Sequence, residues 1–161
     1  MCDYSLMSYR NRLAEAGEEL ESYRFPSSTL GFAAVDDLCR IAEQRSSRPK
    51  GFRAWLVRLF AAQDQCDVTA ICLPEGSRLL LRAIPEKLQL SWGVGSMEEV
   101  RFLQVTPLER THRDAILLPN GRQVSLQCLP SGLRARVVSL PTTDAAPPTA
   151  EHDVTDVGVG A

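Results

Sequence analysis

Leu117-Leu118-Pro119-Asn120-Gly121-Arg122-Gln123-Val124-Ser125-Leu126-Gln127-Cys128-Leu129 decides how the second half of this chain is read. Asn120-Gly121 is its strongest turn signal, because a type I′ turn needs positive φ at both central residues and Asn-Gly is the pair that tolerates it. Beyond the turn the sequence alternates. Val124, Leu126 and Cys128 fall on one face, and Gln123, Ser125 and Gln127 on the other, which predicts a strand buried on one side and wet on the other. Working outward, stretches near residues 67–73, 78–84, 98–106, 111–118 and 133–140 have the same period of two. Pro74-Glu75-Gly76-Ser77 and Pro130-Ser131-Gly132 separate them as turns. Short strands joined by tight turns predict an antiparallel β-meander or small β-barrel, since closure removes the exposed edges that invite aggregation.

Upstream the pattern is mixed. Asp3 to Tyr9 reads as a short strand, and Glu18 to Phe25 with Thr29 to Val35 reads as an N-terminal β-hairpin across Pro26-Ser27-Ser28. Residues 11–21 compete as a helix through Leu13, Ala14 and Leu20, with Gly17 against it. Asp36-Asp37 cap a helix over residues 37–45, with Leu38, Ile41 and Ala42 on one side, and Pro49 breaks it. The clearest helical signal covers residues 51–62, where Phe52, Trp55, Leu56, Leu59 and Phe60 repeat at the spacing of a single stripe. A further short helix begins at Pro85 and runs through Leu88 to Trp92. The predicted class is therefore α+β: a single domain over 1–140, divided into N-terminal strands (1–35), a helical segment (36–62) and an antiparallel β unit (66–140). Residues 141–161, rich in Thr, Ala, Pro, Asp and Gly, read as a disordered tail.

With 161 residues, 44% of them hydrophobic, the chain can bury one ordinary core. No stretch approaches the roughly 20 apolar residues that span a bilayer, and no export signal is evident, so a cytoplasmic protein that does not enter membranes is expected. The net charge of −2 is unevenly spread. Residues 1–37 carry 3 basic and 7 acidic side chains, whereas residues 38–58 carry 6 basic and 1 acidic. So small a net charge argues against a dedicated nucleic-acid binder and leaves a protein partner as the expectation. The five cysteines are scattered and odd in number, which predicts free thiols, with Cys72 and Cys128 as small hydrophobes within strands.

Several groups are candidates for chemistry or binding. Removal of Met1 would give Cys2 both a thiol and a free α-amine able to act as its base, the logic of an N-terminal nucleophile. The Met1-Cys2 start resembles class II glutamine amidotransferases in that dipeptide alone, with Asp3 where they have glycine; the resemblance implies Cys2 as the catalytic residue. Cys66 and Cys72 are the nearest cysteine pair and lack the close, paired spacing of a zinc site, so no metal ligands are assigned. Arg45, Arg48, Lys50 and Arg53 form a basic surface for an anion or partner, and Arg134 and Arg136 should project together from one sheet face, joined by Arg101, Arg113, Gln123 and Gln127 if register permits. His112 and Asp114 are an acid-base pair without a nucleophile. Gly93-Val94-Gly95 lacks the third glycine and following helix of a phosphate loop. No cofactor is specified. The resulting expectation is a non-catalytic binding or accessory protein that uses a small β platform and an arginine-rich helical surface. The alternative is a thiol-dependent enzyme or metal-binding protein centred on Cys2.

Overall fold

A computed structural model describes residues 6–46, 68–105 and 112–141. Its elements are β1 (Asn11–Leu13), β2 (Glu19–Arg24), β3 (Leu30–Ala34), α1 (Val35–Ser46), β4 (Ala70–Cys72), β5 (Arg78–Arg82), α2 (Glu86–Trp92), β6 (Glu98–Gln104), β7 (Asp114–Leu117), β8 (Gln123–Ser125), a 3-10 turn (Leu126–Cys128) and β9 (Arg134–Ser139). The helix predicted over 51–62 and the tail beyond Pro141 lie outside the described residues.

The nine strands form one sheet in the order β1-β4-β3-β2-β9-β5-β6-β7-β8, curled into a half-barrel. Strands β5 to β8 are an antiparallel meander, each paired with its successor. β9 then returns to lie between β5 and β2, antiparallel to both. β4 leaves the meander altogether: it pairs with β3 and, in parallel, with β1. The α+β class and the barrel-like sheet follow from the sequence pattern; the parallel pair does not.

Apolar side chains from both halves of the sheet meet on the concave face, including Leu20, Phe32, Leu79, Phe102, Ile116 and Val137. A second cluster covers the outside of β3 and β4, where Leu6, Ile41 and Val68 meet Phe25, Ala33 and Ala70. β3 is thus buried on both faces, which explains why Leu30-Gly31-Phe32-Ala33-Ala34 contains no polar residue. Its small outward residues allow close approach. A Cβ placed on Gly31 would stand 2.5 Å from Leu6 Cδ1, so the glycine is what lets the N-terminal segment sit on the sheet.

One side chain joins the far end of the meander to β3. Gln127, in the 3-10 turn, accepts from the Leu30 N–H (2.9 Å) and donates from Nε2 to the Leu30 carbonyl (2.9 Å). β4 pairs with β3 only at Phe32 and Ala33, so the amide of Gln127 supplies the ladder bonds that no backbone reaches at Leu30. The predicted strand over 123–129 accordingly stops at Ser125. Val124 and Leu126 are buried as expected, but the 3-10 turn swings Cys128 out to solvent and turns Gln127 inward.

The hairpin at Asn120-Gly121 forms with a different turn from the one its dipeptide suggests. Gly121 has φ 82°, whereas Asn120 is not among the residues with positive φ. Gly121 N–H donates to the Leu118 carbonyl (3.0 Å) and Leu118 N–H to the Arg122 carbonyl (2.9 Å). This is a three-residue loop, Pro119-Asn120-Gly121, in which a type I turn is followed by a left-handed residue. The deciding residue is Pro119, whose fixed φ suits the first corner of a type I turn. The loop between β2 and β3 has the same bonding: Ser28 N–H donates to Phe25 O (2.8 Å), Phe25 N–H donates to Thr29 O (2.9 Å), and Pro26 stands first. There the left-handed position is filled by Ser28, φ 66°.

The hairpin loop also holds α2. Gly93 (φ 69°) ends this helix in the left-handed conformation, its N–H donating to Gln89 O. The Asn120 amide donates to the Trp92 carbonyl (2.7 Å), and the Arg122 guanidinium donates to the Ser91 carbonyl. Carbonyls left over at a helix C-terminus are thereby satisfied, one of them by a cation.

Three local expectations are overturned. Residues 11–21 are not a helix but β1, a turn and the start of β2. Across them Arg12 pairs with Glu18, and this side-chain hydrogen bond is the first cause holding the Arg12 guanidinium above its ordinary pKa. Residues 6–9 form a turn and not a strand, closed by Tyr9 N–H donating to Leu6 O. α1 begins directly at Val35, so Asp36 and Asp37 occupy its first turn instead of capping it.

Candidate anion-accepting sheet face

Alternation along the strands fixes what the convex side displays. In β9 the burial of Ala135 and Val137 leaves Arg134 and Arg136 exposed, and in β5 the burial of Leu79 and Leu81 turns Arg78, Leu80 and Arg82 outward. The register then sets their neighbours. Glu21 lies opposite Arg134 and Glu19 opposite Arg136; on the other side of β9, Arg134 lies opposite Arg82. One strand further, Leu80 faces Glu99 and Arg78 faces Arg101.

Glutamates thread between these arginines. Arg134 Nε is 2.9 Å from Glu21 Oε2, while Glu19 Oε1 is shared by Arg82 Nη1 at 3.2 Å and Arg136 Nε at 3.8 Å. Arg82 must cross β9 to make that contact, and its Nε is buried without a hydrogen-bond partner among the described residues. Arg78 pairs with Glu99. Arg101 is exposed and makes no ion pair among the described residues. Two like-charged pairs, Arg82 with Arg134 and Arg78 with Arg101, therefore stand directly across from one another. Such pairs are destabilising, and the glutamates offset the cost unequally. At the first pair Glu19 and Glu21 are both close; at the second, Glu99 is engaged by Arg78 and no ion pair reaches Arg101 among the described residues.

Of the residues singled out from sequence, Arg134 and Arg136 do share one face, and Arg101 and Gln123 are brought onto it through the register of β6, β7 and β8. Gln127 is not; it closes the sheet against β3. Arg45 lies in the last turn of α1, and Arg48, Lys50, Arg53 and Cys2 lie outside the described residues. Asp114 is buried and accepts from Gln104 Nε2 (3.2 Å), whereas His112 is exposed ahead of β7. Cys39 and Cys128 are free, but Cys72 is disulfide-bonded, against the expectation of free thiols. Spacing along the chain does not report which cysteines meet once strands are stacked. Sequence reasoning missed Arg78 and Arg82 as members of the face, although Arg78-Leu79-Leu80-Leu81-Arg82 puts both on one side by parity. The glutamates of β2 carried no such signal, because only the return of β9 places them beside Arg134 and Arg136.

Among the described residues no group of three His, Cys, Asp or Glu side chains is placed to hold a metal ion, and no helix is long and apolar enough to cross a membrane. Compared with known proteins, the chain matches no family, no curated protein and no solved structure.

Proposed function

We propose that this chain is a non-catalytic binding protein whose convex sheet face meets an acidic protein partner. The observation that carries the reading is Arg101: exposed, directly across from Arg78, and without an ion pair among the described residues. A guanidinium offers a planar fork of donors that matches a carboxylate. The interleaved Glu19, Glu21 and Glu99 favour a partner with discrete carboxylates over a continuous polyphosphate, which they would repel, and the net charge of −2 points the same way. The Arg45, Arg48, Lys50 and Arg53 segment is a second basic surface for the same partner. Affinity purification with the parent chain, with Arg78→Gln/Arg101→Gln and with charge reversal at Arg45, Arg48 and Arg53 tests the assignment. A partner lost on neutralising the sheet pair supports it; a partner retained at full yield by that variant removes the sheet face from consideration.

A further inference from the structure

We propose that the acidic segment of residues 142–161 docks in cis on the Arg78–Arg101 end of the sheet face and competes there with the partner. This rests on the reading of that face as anion-accepting. The first support is where the segment leaves the fold. β9 ends at Ser139, whose register partner is Arg78, and the register partner of Arg78 is Arg101. Arg101 is thus two strand spacings from the exit, about 10 Å. Asp144 follows Ser139 by five residues, a reach of up to about 17 Å. The second support is charge: residues 142–161 contain Asp144, Glu151, Asp153 and Asp156 and no lysine or arginine. The third is that Glu99 pairs with Arg78 while Arg101, across from it, makes no ion pair among the described residues, so this end of the face has a positive charge to spare.

Each contact is an exposed ion pair and individually weak. Tethering changes the arithmetic, because a short covalent tether can present the acids at an effective concentration in the millimolar range. The docked state should therefore be partial, fast and sensitive to salt. A segment docked for half of the time or more lowers the apparent affinity for a competing acidic peptide about twofold or more.

The experiment compares three chains by 15N NMR, including the arginine Nε–Hε signals: the full chain, a chain ending at Pro141, and the full chain carrying Asp144→Asn, Glu151→Gln, Asp153→Asn and Asp156→Asn. All three keep every residue of the described sheet. At low salt the Arg78 and Arg101 side-chain signals and the Val138 and Ser139 amides should differ between the full and shortened chains. The neutralised chain, and the full chain in high salt, should reproduce the shortened one. Coincident signals at those four residues, or differences that map instead to the basic stretch of residues 45–58, overturn the proposal. Titration with a poly-aspartate peptide reads the competition: tighter binding by the shortened chain supports it, and equal affinity for both chains overturns it. Signal differences without poly-aspartate binding by any chain would leave docking standing and sink the partner reading instead.

Discussion

Replacing Gln127 tests whether the sheet is closed by a side chain. In the parent, its amide makes two hydrogen bonds of 2.9 Å to the backbone of Leu30, a residue 1% exposed. Gln127→Ala removes both and leaves a buried N–H and a buried carbonyl without partners. At about 1–3 kcal/mol for each orphaned group, less where water enters the gap, the loss should be about 2–4 kcal/mol. Gln127→Glu separates the two bonds. The ionised carboxylate still accepts from the Leu30 N–H but cannot donate to the carbonyl, whereas the protonated form can do both. Folding thus favours the protonated form and raises the pKa of the introduced carboxyl above its ordinary value of about 4.3. The corresponding stability is fully present below that unfolded value and is lost as pH rises through the folded one. Urea unfolding followed by the fluorescence of Trp92, 5% exposed, measures both effects. Variants within about 0.5 kcal/mol of the parent, the range of ordinary surface substitutions, would refute the seam.

Three further substitutions probe single features. Gly31→Ala pushes a methyl into Leu6 Cδ1 and should cost about 1–3 kcal/mol, most of it recovered in a double mutant with Leu6→Ala; additive losses in that cycle would mean the two residues do not touch. Ser28→Gly, relieving a left-handed serine, should stabilise by about 0.5–1 kcal/mol, whereas Gly121→Ala at the equivalent position of the other loop should destabilise by about 1–2 kcal/mol; thermal melting that gives the same sign for both would contradict the shared loop geometry. Asn120→Ala removes the donor to the Trp92 carbonyl, so unfolding free energy should fall by about 1 kcal/mol and hydrogen exchange in α2 should accelerate ahead of the sheet; unaltered exchange there would show that the helix does not depend on the loop.

What could be read from the sequence was local. Alternation marks β5, β6, β8 and β9 because each has one buried face, and Pro85 marks α2 because its missing N–H suits a helix start. Leu30 to Ala34 shows no alternation because α1 and Leu6 cover its second face, and its strand is legible from composition instead. Where a turn is set by a neighbour, the local signal fails. Pro119 overrides the dipeptide preference of Asn120-Gly121, and the 3-10 turn takes Gln127 off the wet face that strand alternation gives it. The candidate face was half legible. Parity alone puts Arg134 beside Arg136, but their glutamates come from β2, at the opposite end of the chain, and nothing in the sequence announces that pairing.

The place of β9 bears on how the protein is made. Among the described strands it is the last to leave the ribosome, yet it lies in the middle of the sheet, and the Leu133 N–H donates to the Ser22 hydroxyl 111 positions earlier. Until it emerges, β2 has no neighbour on one side and the meander has no backbone ladder to the N-terminal strands, only the side-chain bonds of Gln127 to Leu30, so a nascent chain carries two incomplete sheets with unpaired edges. Long-range closure of this kind is slow and exposes such edges to other chains in the meantime. Translation that stalls before residue 134 would release a product unable to complete its sheet, whatever the quality of the strands already formed.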